Sequence, residues 1–212
     1  MKHSVYYRSF AIFGIFLFAG MLLSVQFSGS VLQLDQYISQ HVSSLRIESW
    51  DKWVIALTNL NGMRESLLFS ALLLSFLLYK KWYNDARFYL LALAGSIVLF
   101  STVKSMVKRV RPQMQLIDIS GYSFPSGHST MSMAMAIALY FIFVRKIEAA
   151  AGRAVLLAIA LLWPLMIGVS RIYLNVHWFS DVIGGLGLGL LWVMLLKLCC
   201  HRQEKPLPAT GS

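Results

Sequence analysis

Three polar stretches hold the side chains that can do chemistry: Lys104 to Pro112, Tyr122 to Thr130, and Ser170 to Asp181. The middle one is a short turn that leads straight into the apolar run Met131 to Val144, so it sits where a helix begins. Backbone N–H groups at a helix start lack intrahelical partners and carry the positive end of the dipole, which suits an anion. Gly127 lets the backbone come close to a ligand, Ser126 offers a hydroxyl, and His128 exchanges a proton near neutral pH.

In the third stretch His177 and Asp181 are four apart at the start of an apolar segment, hence on one helix face. A carboxylate there accepts a hydrogen bond from one ring nitrogen and leaves the other as a base or nucleophile. Arg171 supplies a planar fork for two phosphate oxygens. In the first stretch Lys104 and Arg111 are seven apart, which on a continuous helix puts them on one face with Lys108 between them. Lys108 and Arg109 read as cations snorkelling at a helix end. Lys104 lies more than a turn inside an apolar helix, where a charge costs about 3 kcal/mol, so a cavity or partner is expected there.

Together these stretches offer two histidines, a carboxylate, three cations and an anion-binding helix start. A carboxylate cluster for magnesium or calcium is missing, and so is a Cys/His set for zinc. The inventory suits metal-free and cofactor-free phosphoryl transfer. Cations and backbone donors neutralise a group of about −1.5 to −2 charges. One histidine attacks phosphorus, the other protonates the leaving oxygen, and water hydrolyses the phosphohistidine.

The elements that position these groups are membrane helices. The chain of 212 residues is 58% hydrophobic and 13% charged, with its apolar residues in long runs. Six spans are expected, at 10–27, 66–82, 88–107 (helical to about Val110, ended by Pro112), 129–144, 153–172 and 178–200. The first is read as a retained span, although Ser28 to Ser30 resemble a signal-peptide cleavage site. Pro164 is expected to kink the fifth, and the Gly185/Gly189 pair to allow close packing of the sixth.

Between the first two spans, Leu34, Ile38, Val42 and Leu45, then Trp50, Trp53, Val54 and Leu57, repeat at helical spacing and predict two amphipathic interfacial helices. The expected architecture is therefore an all-α, six-span bundle forming one domain over residues 1–203, with a polar, disordered tail over 204–212. That tail contains Leu207 to Gly211, which resembles a sortase signal but lacks the hydrophobic segment that should follow. Cys199 and Cys200 are adjacent at a membrane edge, with no metal spacing or redox pattern.

The net charge of +10 belongs to cations flanking spans and not to a soluble nucleic-acid-binding surface. Most of the 19 lysines and arginines, among them Lys2, Arg8, Lys80, Lys81, Arg87, Arg145, Lys146, Arg153 and Lys197, fall on one side. The positive-inside rule makes that side cytoplasmic, with both termini, and puts all three polar stretches on the outer face.

The motifs Lys-x6-Arg-Pro (Lys104 to Pro112), Pro-Ser-Gly-His (Pro125 to His128) and Ser-Arg-x5-His-x3-Asp (Ser170 to Asp181) resemble the signature of the type-2 phosphatidic acid phosphatase superfamily. All three are intact and in order. The resemblance implies His177 as nucleophile, Asp181 as its orienting partner and His128 as general acid. It implies Lys104, Arg111, Ser126, Gly127 and Arg171 as phosphate binders, and a phosphorylated membrane lipid as substrate. Undecaprenyl diphosphate is expected first, with phosphatidylglycerophosphate, phosphatidic acid and lipid A phosphates as alternatives. A phosphotransferase would share the same intermediate. The superfamily's soluble vanadium haloperoxidases do not match six spans, and an anion transporter would be expected to show paired polar sites in two halves.

Overall fold

The computed structural model describes residues 2–203, all of whose regular structure is helical. The tail over 204–212, with its Leu207 to Gly211 motif, lies outside the described residues. The helices are α1 (Lys2–Phe27), α2 (Gly29–Ser44), α3 (Glu48–Asn59), α4 (Met63–Tyr79), α5 (Tyr83–Val107), α6 (Gly127–Phe143), α7 (Ala150–Tyr173) and α8 (Phe179–Gln203). A single 3-10 turn, Val144–Lys146, extends α6.

Five segments are long and apolar enough to cross a membrane: Val5–Phe27, Tyr83–Val107, Gly127–Lys146, Ala150–Tyr173 and Phe179–Cys200. The sixth expected span, α4, meets this test only together with α3, and the pair bends by 43° at the break between them. Asn61 and Gly62 lie in that break, where Gly62 is extended as the N-cap of α4. The segment expected to hold two interfacial helices thus contributes its second helix, α3, to a bent pair with α4.

α6 and α8 form the buried centre. Small residues let them approach: a Cβ on Gly185 would lie 2.6 Å from the carbonyl oxygen of Ser126, and one on Gly189 would strike the carbonyl of Thr130. The expected close packing of the glycine pair is present, and it sets the start of α6 against the start of α8. Ala134, Ala138, Ile142 and Val193 fill the interior beside Tyr89 of α5, whose hydroxyl pairs with Ser70 of α4 at 2.9 Å. α1 lies along α8, with Phe18 stacked on the buried Phe124 at 6.3 Å. At the end of the bundle away from the three polar stretches, Asp85 pairs with Arg145 and with Lys146.

α2 is the opposite of a soluble amphipathic helix. Its buried residues are Asp35 and Ser39, whereas Leu34 and Leu45 of the expected apolar stripe are exposed. Beside lipid, apolar side chains are stable facing outward, and polar ones need partners inside the protein. Ser39 donates to Asn175 Oδ1 at 2.8 Å, and Asn175 Nδ2 donates to Ser43 at 3.0 Å. α2 is held to the α7–α8 connection by its polar side.

Candidate active site

The three stretches meet at one end of the bundle. α5 stops earlier than its apolar pattern suggests. Lys108 adopts a left-handed conformation (φ 52°), and its N–H closes on the Lys104 carbonyl at 3.0 Å. Lys104 and Arg111 are therefore not on one helix face, contrary to the expected continuation to Val110. Lys104 points from the last turn of α5, and its Nζ donates to the carbonyls of Tyr122 (2.7 Å) and Ser123 (3.3 Å). Arg111 enters from the loop. It donates to the Gly121 carbonyl at 3.0 Å, the Val176 carbonyl at 2.6 Å and the His177 ring at 3.2 Å.

Ser126 caps α6, accepting from the Ser129 N–H (3.4 Å) and the Ser129 hydroxyl (3.0 Å). Its own N–H donates to the Asp181 carbonyl at 3.0 Å, locking the α6 start to α8. Ser126 is fully buried, so its hydroxyl serves the cap. Gly127 lies under the ring of Phe100, which a Cβ would meet at 3.1 Å. His128 follows in the first turn, half-buried, with Arg171, His177, Lys104 and Arg111 as electrostatic neighbours. Its carbonyl accepts from Asn61 Nδ2 at 3.1 Å, which fixes the α3–α4 break beside it.

Arg171, in the last turn of α7, is 2% exposed. One terminal nitrogen donates to Thr58 of α3 at 3.0 Å. Its Nε is buried and has no hydrogen-bond partner among the described residues. An orphaned guanidinium nitrogen at such a site is costly unless a ligand completes it.

His177 and Asp181 are both buried. A guanidinium can only donate, so the nitrogen facing Arg111, Nε2, carries the lone pair, and the ring proton sits on Nδ1. Nδ1 lies 3.4 Å from Asp181 Oδ2 and 3.4 Å from the Ser123 hydroxyl. Asp181 Oδ2 also accepts from that hydroxyl and, at 2.9 Å, from the Trp178 N–H. Burial, reinforced by Lys104, Arg111 and Arg171, holds the His177 pKa well below its ordinary value, so the ring is neutral. Burial also lowers the Arg111 pKa from the ordinary guanidinium value, with Asp181 opposing.

Several contributors do not stand out in the sequence. Arg109 is no snorkelling cation: its side chain is 10% exposed and forks between Asp181 (2.6 Å) and Asp35 of α2 (2.7 Å). Lys108, by contrast, is exposed as expected. Ser123, Thr58 and Asn61 stand behind His177, Arg171 and His128. The one available signal is that a charge near lipid, such as Arg109 or Asp35, needs a partner, and it is weaker at a helix end than for Lys104 inside the helix. No group of three or more His, Cys, Asp or Glu that could hold a metal exists among the described residues.

The profile of the PAP2 superfamily matches residues 66–205, which include all three motifs. This chain belongs to the PAP2 superfamily. It is 29% identical over 188 residues to phosphatidylglycerophosphatase B of Bacillus subtilis, covering 86% of this chain and 91% of that one. It is 33% identical over 111 residues to decaprenylphosphoryl-5-phosphoribose phosphatase of Mycobacterium tuberculosis, covering 49% and 56%. The crystal structure of a transmembrane PAP2-type phosphatidylglycerolphosphate phosphatase from Bacillus subtilis superposes with a TM-score of 0.81 at 25% identity, over 95% of this chain and 98% of that one. The chain is a membrane-embedded lipid phosphatase of the PAP2 type.

Proposed function

We propose that this phosphatase releases phosphate from phosphatidylglycerophosphate or a related glycerophospholipid through a phosphohistidine formed on His177. The observation that carries the site is a charge imbalance. Lys104, Arg111 and Arg171 converge, and the hydrogen-bond partners of each are neutral oxygens or the neutral His177 ring. A phosphate dianion supplies the missing charge and the partner for Arg171 Nε. The N–H groups of Gly127 and His128, in the first turn of α6 before any intrahelical bond, add donors.

In this reading the lipid phosphate draws Arg111 onto its oxygens and frees Nε2 of His177. Nε2 attacks phosphorus, the P–O bond to the lipid breaks, and His128, protonated once the phosphate dianion offsets the surrounding cations, gives that proton to the departing oxygen. Asp181 and Ser123 stabilise the Nδ1 proton as the ring becomes cationic. Water, deprotonated by His128, then cleaves the N–P bond and regenerates His177.

The lipid reading draws support from a groove of about 460 Å³ between α4, α6 and α7, lined by Phe69, Met135, Ala136, Leu139, Ile159, Ala160 and Trp163. Asn61, which binds the His128 carbonyl, stands at its head, so a hydrocarbon chain lying there would leave its phosphate at the cations. The similarity to phosphatidylglycerophosphatase B favours a glycerophospholipid. Undecaprenyl diphosphate is the second reading, favoured by the similarity to the decaprenylphosphoryl phosphatase. We place the protein in a bacterial inner membrane as one domain, with the Asp85–Arg145–Lys146 end cytoplasmic and the site on the outer face. Phosphate release by purified protein from each lipid, with His177→Ala beside it, tests the reading. Equal release by the variant overturns the nucleophile, and the ranking of lipids chooses the substrate.

A further inference from the structure

Asp35 lies before the residues matched by the family profile and belongs to none of the three motifs. It is nevertheless among the most enclosed charges in the molecule, at 1% exposure. Oδ1 accepts from the Ser180 N–H at 2.9 Å, and Oδ2 from the Ser180 hydroxyl at 2.5 Å and from Arg109 at 2.7 Å. Ser180 is in the first turn of α8, so Asp35 caps that helix from α2. The other nitrogen of the Arg109 fork binds Asp181 Oδ1 at 2.6 Å and the Ser180 hydroxyl at 2.7 Å. The Trp178 ring covers Arg109, its centroid 5.4 Å from the guanidinium carbon.

We infer that Asp35 and Arg109 are positioning residues for the reaction, linking α2 to His177 in the order Asp35, Arg109, Asp181, His177. The proposal rests on the phosphatase reading above. The geometry gives each link a task. Asp181 is fully buried, and an isolated carboxylate there would be neutralised or would turn toward any donor. Arg109 occupies Oδ1, which leaves Oδ2 to face Ser123, the Trp178 N–H and Nδ1 of His177. Arg109 cannot drift onto Asp181 alone, because Asp35 holds the other arm of its fork. Asp35 in turn is fixed by two donors of Ser180, one residue from Asp181 in the chain. α2 thereby sets the rotation of the carboxylate that faces the Nδ1 proton of the nucleophile.

Arg109→Gln, Arg109→Lys, Asp35→Asn and Asp181→Asn test the relay, each checked for folding by thermal melting in detergent. We expect Arg109→Gln and Asp35→Asn to lower kcat by about 10²-fold, the effect of a small misplacement of a reacting group, with KM within about threefold. Arg109→Lys, which cannot fork, should recover little. The double variant Asp35→Asn/Asp181→Asn should be no slower than Asp181→Asn alone, because residues acting through one partner are not additive. A multiplicative loss, or a rise in KM with kcat intact, overturns the relay.

A second measurement does not depend on turnover. In ¹⁵N-histidine-labelled protein, with the His177 signals assigned by His177→Ala, the wild type should show Nδ1 protonated and Nε2 bare. Asp35→Asn, chosen for its near-identical shape, should move the Nδ1 resonance as its contact with Asp181 is disturbed, while Nε2 stays bare because Arg111 still faces it. An unchanged His177 spectrum in folded Asp35→Asn overturns the proposal even if no lipid proves to be a substrate. Lack of phosphate release by wild type with a shifted spectrum in Asp35→Asn would count against the phosphatase reading alone.

Discussion

Arg111 donates to Nε2 of His177 across 3.2 Å, so the lone pair of that ring is aimed at the cation that, in the proposed function, also binds the phosphate. In that reading substrate binding and release of the nucleophile are one event. Removing the nucleophile with His177→Ala should cost on the order of 10⁶ in kcat, and Asp181→Asn, which removes only orientation, about 10⁴ or less. Single-turnover phosphate release on folded variants checks both. Equality of the two would show that Asp181 has a role beyond holding His177.

His177 should remain neutral in acid where an ordinary histidine protonates. Its pKa is depressed by burial and by Lys104, Arg111 and Arg171, while Asp181 and Ser123 face its other nitrogen. Below 6.5 the unfolded chain takes up a proton on this residue that the folded chain does not. The unfolded state then binds more protons, so stability falls as pH drops below 6.5, by up to about 1.4 kcal/mol per pH unit. Melting temperatures from pH 7.5 to pH 5.5 should decline more steeply for wild type than for His177→Gln. Parallel declines would contradict the buried neutral ring.

What the sequence reveals of this site follows from cost and spacing. Lys104 is conspicuous because a charge inside an apolar helix is expensive and needs a reason, His177 and Asp181 because they are four apart, and Arg171 because its planar fork suits a phosphate. Their partners depend on tertiary approach, which periodicity does not encode. Arg109 sits two residues before Arg111 and reads like any cation at a membrane edge, until folding brings Asp35 to it. The end of α5 was missed because its stop signal is a lysine in a left-handed conformation, where glycine is usual. α2 was recognised as a helix with two faces, but the face turned to the protein is the polar one. The glycine pair of α8 was legible because only the lack of a side chain permits contact that close.

Phosphate release should persist in EDTA, because in the proposed mechanism the charge of the transition state is met by Lys104, Arg111 and Arg171. Among these, Arg171→Lys should be severe despite keeping the charge. It removes the buried Nε that has no partner among the described residues and the fork that reaches Thr58. A loss of about 10²- to 10³-fold in kcat/KM is expected, comparable to deleting one donor to a developing oxyanion. Lys108→Ala, at an exposed left-handed position, should change activity by less than about twofold. Collapse of the wild-type rate in EDTA, or of the Lys108→Ala rate, would mean that the charge balance was drawn wrongly.

The groove between α4, α6 and α7 allows the chain-binding part of the substrate to be separated from the reacting part. Ala160 lies on its floor at 3% exposure, between Ile159 and Trp163 of α7 and across from Leu139. Ala160→Phe would crowd the floor of the groove of about 460 Å³, and thermal melting in detergent checks that the bundle still folds. A lipid with long chains would lose several buried methylenes at about 0.8 kcal/mol each, raising KM tenfold or more. A phosphatidic acid with six-carbon chains, which barely enters the groove, should keep its kcat/KM within about threefold. The ratio of the two substrates, measured in one detergent above its micellar concentration, reads the groove independently of the chemistry at His177. If both substrates slow together, the ring has disturbed His128 through α6. If neither changes, the lipid chain lies elsewhere along the bundle.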